Sequence, residues 1–217
     1  MMIRELINSV NTFGVKVVFD DIDKVKESVY KGNHIIYFTP VEGEERKKFE
    51  RMYKKEKFVS TTFCIHIPDL PISDIIDMYK NCDGSGIYDF ICKMILEKCG
   101  NIQNMNDAFV IFLFLHEVGH WNQFTEMQCN VKTFIEMDIN LEKANFEKVK
   151  ELENKRQERI KKGSTCLQSA KERKLSESYM KEYRNIPKEK KADDFALANI
   201  EKALLLFKGK RQILRLG

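Results

Sequence analysis

Apolar and polar positions divide the chain into a mixed N-terminal third and a helical remainder. Short β-rich runs at Val15–Phe19 and His34–Thr39 flank a predicted helix near Asp21–Tyr30, and a charged helix is predicted over Glu44–Lys57. Apolar and polar side chains then alternate along Phe58–Ile67, which is typical of a half-buried strand. The N-terminal third therefore predicts a small sheet with short helices.

The rest of the chain predicts only helices. Asn104 is a typical helix-capping residue and predicts a helix over Met105–Phe124. Glu, Lys and Arg dominate residues 130–185, which we predict to form a charged helical insertion. Pro187 suits the first turn of a last helix, ending near Lys208.

Composition agrees with one ordered α+β domain spanning residues 1–217, since 43% of the chain is hydrophobic, 32% is charged and only 4 residues are proline. The net charge of +4 is too small to indicate nucleic-acid or membrane binding. Residues 141–191 carry 16 basic and 9 acidic side chains, but the two kinds are interspersed, which favours a solvated arm.

The longest apolar run, Ala108–Leu115, is too short to span a membrane, and the six cysteines include no CxxC pair. We predict a cytoplasmic protein.

The strongest chemical signal is the HExxH motif, HEVGH, at residues 116–120. Helix residues four apart point in nearly the same direction, so His116 and His120 can share one metal ion. Glu117 is rotated by about 100° and can reach a water molecule beside that metal. The motif also ends the most apolar stretch of the chain, where unpaired polar groups are costly. We predict one Zn²⁺ per chain, with Glu117 as the general base of a hydrolysis.

A catalytic zinc ion needs a third protein ligand and one open position. No histidine follows His120, so a downstream carboxylate is the natural ligand. Glu189 is the best candidate, and Asp193, one turn further, would accept a hydrogen bond from a ligand imidazole. These acids share one face of the predicted last helix with small and apolar residues: Glu189, Ala192, Asp193, Ala196 and Ile200. Three acids closer in sequence stay open as alternatives: Glu126, Glu136 and Asp138.

The HEVGH motif followed by Glu-x-x-Ala-Asp-x-Phe-Ala resembles the gluzincin metallopeptidases. Among soluble members the chain is most similar to the ImmA/IrrE type, intracellular peptidases associated with cleaving transcriptional repressors. This resemblance implies a zincin-like fold with a twisted sheet packed on a buried active-site helix. It also implies zinc ligands His116, His120 and Glu189, catalytic Glu117, a supporting Asp193, and a protein or peptide as substrate.

Other polar residues are weaker candidates. His66, Tyr179 and Tyr183 are candidate transition-state stabilisers, although surface or core positions are the more common role of such side chains. The Phe58–Ile67 strand is a candidate for binding a substrate backbone by β-addition, with His66 near the cleft. Cys64 and His66 lack companion ligands in the sequence and are predicted to be structural.

Two other functional classes stay open. A non-catalytic, zinc-stabilised helical interaction protein would close the metal site with a fourth protein ligand, such as Cys129. A nucleic-acid-associated regulator would use the arm at 141–191, and its salt-dependent affinity would fall when the basic side chains of that arm are neutralised. The residues to neutralise are Lys155, Arg156 and Arg159.

Overall fold

The computed structural model describes residues 1–25, 35–52, 58–81, 86–136 and 181–216, with the single residues 150, 154 and 178. In these ranges the elements follow the order α1 (Ile3–Val10), β1 (Val17–Asp20), β2 (Tyr37–Thr39), α2 (Gly43–Met52), β3 (Cys64–Pro68), α3 (Ile72–Asn81), α4 (Gly86–Cys99), α5 (Met105–Glu126) and α6 (Pro187–Leu216). The predicted mixed α+β class is confirmed.

The three strands form a mixed sheet in the order β1-β3-β2. β3 pairs in parallel with β1 and antiparallel with β2, where Phe38 lies opposite Ile65. At Ile65 and His66, β3 is paired on both sides, so the predicted β-addition of a substrate backbone is excluded at these residues. Among the described strands, β2 lies at an edge of the sheet.

Alternation along β3 gives the sheet two different faces. Ile65 and Ile67 are fully buried in the main core, whereas Cys64 and His66 lie on the opposite face. The strand is shorter than the predicted Phe58–Ile67 because the residues before Cys64 are not paired in this sheet. The alternating pattern thus predicted the faces correctly and the strand start incorrectly.

Helix α5 forms the centre of the core. Every residue from Asp107 to His120 is buried, and α5 contacts both β2 and β3 and packs most extensively on α6. Such all-round burial explains why this helix is apolar on every side. The predicted cap is confirmed, because Asn104 Oδ1 accepts a hydrogen bond from the Asp107 N–H at 3.3 Å. The HExxH motif therefore stands on an enclosed helix.

Helix α6 begins at Pro187 as predicted but extends to Leu216, beyond the predicted end at Lys208. One glycine, Gly209, costs a helix only about 1 kcal/mol and does not end it. The predicted α6 face is confirmed as buried: Glu189, Ala192, Asp193, Ala196 and Ile200.

The predicted charged insertion at 130–185 lies mainly outside the described residues. Residues 131–136 and 181–184 at its two ends are helical, as expected. The predictions for Tyr179 and Asp138 fall outside the described residues. So do those for the arm residues Lys155, Arg156 and Arg159. Of the helices that the structure does describe, none combines the length and apolar character needed to cross a bilayer.

Candidate metal centre

Glu189 lies against the two histidines of the HExxH motif. His116 Nε2 and His120 Nε2 are 3.1 Å apart on neighbouring turns of α5. The Glu189 oxygens lie 3.2 Å from His116 Nε2 and 3.5 Å from His120 Nε2. These three side chains, brought together from two helices, form a buried group in which each can offer one ligand atom.

A close contact between the helices makes this convergence geometrically feasible. A Cβ atom added to Gly119 would lie 2.8 Å from Ala192 Cα, closer than side chains normally approach backbone. The Gln123 side chain also donates to the Lys188 carbonyl oxygen at 3.1 Å. Glycine within HEVGH and alanine within the α6 motif therefore set the separation at which Glu189 reaches the imidazoles.

Asp193 supports His116 from behind. The Nδ1–H group of His116 donates to Asp193 Oδ1 at 2.8 Å, which leaves Nε2 directed at Glu189 and His120. Arg184 Nη1 donates to the same Asp193 oxygen at 2.6 Å and lies 3.1 Å from His116 Nδ1. Carboxylate–imidazole support of this kind fixes the orientation of metal-binding histidines.

Burial and pairing shift the pKa values of the group in different directions. Burial opposes charge on His116, but hydrogen bonds to Asp193 and Glu189 outweigh it and raise the pKa of His116 to about 9. Burial lowers the pKa of His120 to about 4. Burial also opposes charge on Glu189, yet hydrogen bonds from both histidines hold its pKa well below the usual value. Hydrogen bonds to two carboxylates thus favour the protonated form of His116, whereas burial disfavours that of His120.

The donor set fits zinc. Two imidazole nitrogens and a carboxylate are ligands that zinc prefers, and a tetrahedral site with bonds of about 2.0–2.1 Å has edges of about 3.3 Å. Here the two imidazole nitrogens are 3.1 Å apart, and each has one Glu189 oxygen at 3.2 or 3.5 Å, Oε2 beside His116 and Oε1 beside His120. Among the described residues the group has three members, the number of protein ligands that a catalytic zinc site uses. The chemistry and closeness of His116, His120 and Glu189 thus suit a zinc ion.

Glu117 is positioned by the edge strand. Its Oε2 atom accepts the backbone N–H of Phe38 in β2 at 2.8 Å. Tyr79 lies close enough for the Glu117 charge to add to the effect of burial in raising the pKa of the phenol. Glu117 is thus buried against β2, with one carboxylate oxygen in a defined orientation.

The other predicted candidates lie elsewhere. Glu126 is exposed and pairs with Lys191, and Glu136 is half-buried and pairs with Lys132, so neither is in the ligand group. Cys129 packs with a second apolar cluster around Phe124 and is likewise outside the ligand group.

The candidate transition-state stabilisers also have other partners. The ring of His66 is hydrogen-bonded to Asp20 and Glu42. Tyr183 is half-buried with its ring 5.9 Å from the Arg184 guanidinium.

Sequence reasoning missed Arg184, Phe38 and Tyr79. Arg184 stands in a charged stretch where a single buried cation looks like its solvated neighbours, and only the tertiary contact with Asp193 distinguishes it. The contribution of Phe38 is a backbone N–H, which every non-proline residue carries. Tyr79 lies on a helix distant in sequence from the motif.

Comparison with known proteins adds no relative. No protein-family model matches the chain, and neither the curated proteins nor the solved structures include a significant match.

Proposed function

We propose that this protein is a zinc-dependent peptidase of gluzincin type with a zincin-like fold, acting on a protein or peptide in the cytoplasm. The observation that carries the proposal is the convergence of His116, His120 and Glu189 from two helices on one point. Glu117, buried and next to His116 on α5, is the proposed general base.

The contacts suggest a separate role in hydrolysis for the proposed metal ligands, for Glu117 and for Phe38. A zinc ion bound by His116, His120 and Glu189 would polarise the substrate carbonyl and lower the pKa of the attacking water to about 7. Glu117 then accepts the proton of that water and passes it to the leaving amine. The Phe38 N–H holds one Glu117 oxygen at 2.8 Å and so limits the carboxylate to a narrow range of orientations.

The substrate class follows from the resemblance and from the sheet. The ImmA/IrrE resemblance favours a protein substrate, with a transcriptional regulator as one candidate. β2 is an edge strand and its Phe38 lies beside Glu117, so an extended peptide laid along β2 would bring its backbone near the general base. This mode requires no nucleic acid and no membrane.

The test is cleavage of an unbiased peptide library by the zinc-loaded full-length protein, read by mass spectrometry. The wild type is expected to cut and Glu117→Gln to lose at least about 100-fold in rate, in line with removal of a general base. Glu117→Gln must still bind zinc with the wild-type stoichiometry, because residue 117 is not a ligand. Glu97→Gln, an exposed change on α4, is the matched control and should leave the rate unchanged.

Two results would reject the peptidase. Zinc-loaded wild type that cleaves nothing, neither the library nor proteins captured by the Glu117→Gln variant, would favour the non-catalytic interaction protein. Loss of zinc from Glu117→Gln would make Glu117 a ligand and remove the general base from the scheme.

A further inference from the structure

A second group of metal-ligating side chains lies on the outer face of the sheet. Cys64 and His66 project from β3 on the side opposite to Ile65 and Ile67, and Glu42, in the segment before α2, lies over them. His66 Nε2 is 2.5 Å from Glu42 Oε1 and 3.4 Å from Cys64 Sγ. Nitrogen, oxygen and sulfur ligand atoms thus meet at one point, away from the HExxH helix.

The histidine of this group is oriented as a metal ligand would be. Its other nitrogen, Nδ1, bonds Asp20 Oδ2 at 2.7 Å, and Tyr37 stacks on the ring at 4.8 Å between centroids. The Nδ1–carboxylate contact repeats the arrangement of His116 with Asp193. In both places an aspartate fixes the ring so that Nε2 faces an acidic ligand atom.

We propose that Glu42, Cys64 and His66 form a second zinc site, with Asp20 as the residue that positions His66. A cysteine thiolate with imidazole and carboxylate selects zinc over magnesium or calcium, which prefer oxygen ligands alone. The proposal is independent of the peptidase activity, because it uses none of the residues of the HExxH centre.

The charges of the face suit a bound dication. Thiolate and carboxylate from Cys64 and Glu42 would together neutralise Zn²⁺, while Lys16 is near enough to favour the anionic form of both. Without a metal, burial and the adjacent Glu42 raise the pKa of the Cys64 thiol far above its usual value. A bound cation would favour the thiolate form that ligation requires.

Metal binding at this site would link the sheet to the segment before α2. Glu42 is already held by Thr62, whose hydroxyl bonds both the Glu42 N–H and the Glu42 carbonyl oxygen at 3.1 Å. Metal coordination would add the Glu42 carboxylate to β3 itself. Zinc is therefore expected to raise the Tm of the protein through this site as well as through the HExxH centre.

The test is titration of the metal-free full-length protein with Co²⁺ as a spectroscopic substitute for zinc. Only a site containing a thiolate gives a sulfur-to-cobalt charge-transfer band in the near ultraviolet, so this band reports the second site and not the His₂Glu centre. The band is expected in wild type and in His120→Ala. It should be absent in Cys64→Ser and retained in Cys92→Ser, another buried cysteine.

Variants that keep the thiol guard against a misfolded Cys64→Ser. His66→Gln and Glu42→Gln should each weaken cobalt binding by more than about 100-fold, and Asp20→Asn by about 10- to 100-fold. Absence of the band in wild type at saturating cobalt would overturn the proposal, and the group would then be a hydrogen-bonded polar cluster that binds no metal. A band that persists in folded Cys64→Ser, or cobalt affinity unchanged in Glu42→Gln and His66→Gln, would overturn it equally.

Discussion

Buried charge around His116 is balanced by one arginine. Glu189 and Asp193 are both buried acids, and the Arg184 guanidinium lies 2.6 Å from Asp193 with its side chain only 11% exposed. Burial disfavours a charged guanidinium, but Asp193 and Glu189 more than compensate and raise the pKa of Arg184. Arg184 thus pairs with Asp193 and holds its carboxylate in place behind the His116 ring.

Removing the Arg184 side chain should weaken zinc binding, although Arg184 is not itself a proposed ligand. Arg184→Met would leave Asp193 buried without its arginine partner, and breaking a buried ion pair costs about 3–5 kcal/mol. Zinc affinity should fall about 10- to 100-fold, because Asp193 would be less firmly held where it supports His116. Urea unfolding and chelator competition measure the two effects. Arg4→Met, which breaks an exposed pair with Asp69, should cost less than about 1 kcal/mol; equal effects of the two changes would contradict this account of Arg184.

Removing Glu189, the proposed third ligand, should have a larger effect on zinc binding. Glu189→Ala leaves two imidazoles, and the zinc affinity is expected to fall by more than the 10- to 100-fold typical of an outer partner. Glu126→Ala, an exposed acid on α5, is the matched control and should bind zinc as the wild type does. Chelator competition decides, and unchanged affinity of Glu189→Ala would assign the third position to another residue.

The pKa of His116 makes zinc binding depend on pH. With that pKa at about 9 in the metal-free protein and the pKa of His120 at about 4, binding at pH 7 must displace about one proton, from His116. Affinity should rise about tenfold per pH unit up to about pH 9 and then level off. Calorimetry in buffers of different ionisation enthalpy counts the protons; none released at pH 7 would refute the protonated state of His116.

The raised pKa of His116 also makes the stability of the metal-free protein depend on pH. Whereas zinc affinity rises with pH, this contribution to stability falls. Folding favours the protonated His116, whose ordinary pKa is 6.5, so its contribution is fully present below about pH 6.5. That contribution fades as the pH rises through about 9. Zinc should therefore protect the fold most strongly at the alkaline end of this window.

At the scale of elements, the separation of α5 and α6 is the main determinant of the site. Gly119→Ala would place a Cβ atom 2.8 Å from the Ala192 backbone, so the helices must move apart. We expect a loss of about 1–3 kcal/mol in stability together with weaker zinc binding. Gly209→Ala, on α6 with open space around it, should instead gain up to about 1 kcal/mol. Denaturant unfolding of both variants measures this, and a neutral Gly119→Ala would show that close packing is not required.

The helical part of the site was predictable because its signals are local. A four-residue spacing places His116 and His120 on one side of α5, and periodicity along α6 places Glu189 and Asp193 on the face with Ala192. The end of α6 was not predictable, because a lone glycine weakens a helix without terminating it. The start of β3 was predicted too early, because the residues before Cys64 alternate between apolar and polar side chains but have no partner in the sheet.

At the scale of the molecule, pairings between distant segments escaped sequence reasoning. The order β1-β3-β2 makes β3 central, and no pattern within the strand indicates how many neighbours it has. His66 was considered for the HExxH centre, yet alternation along β3 puts it on the other face with Glu42 and Asp20. The sheet thereby separates two candidate metal groups, while its edge strand β2 contacts Glu117 through Phe38.

The most direct measurement is the zinc anomalous signal from crystals of the zinc-loaded protein. The account predicts a peak about 2.0–2.2 Å from His116 Nε2, His120 Nε2 and a Glu189 oxygen, with a fourth position taken by a non-protein ligand. A peak ligated by a fourth protein side chain at this centre would contradict a hydrolytic role. No peak between these three residues, in a crystal shown by fluorescence to contain zinc, would contradict the metal centre itself.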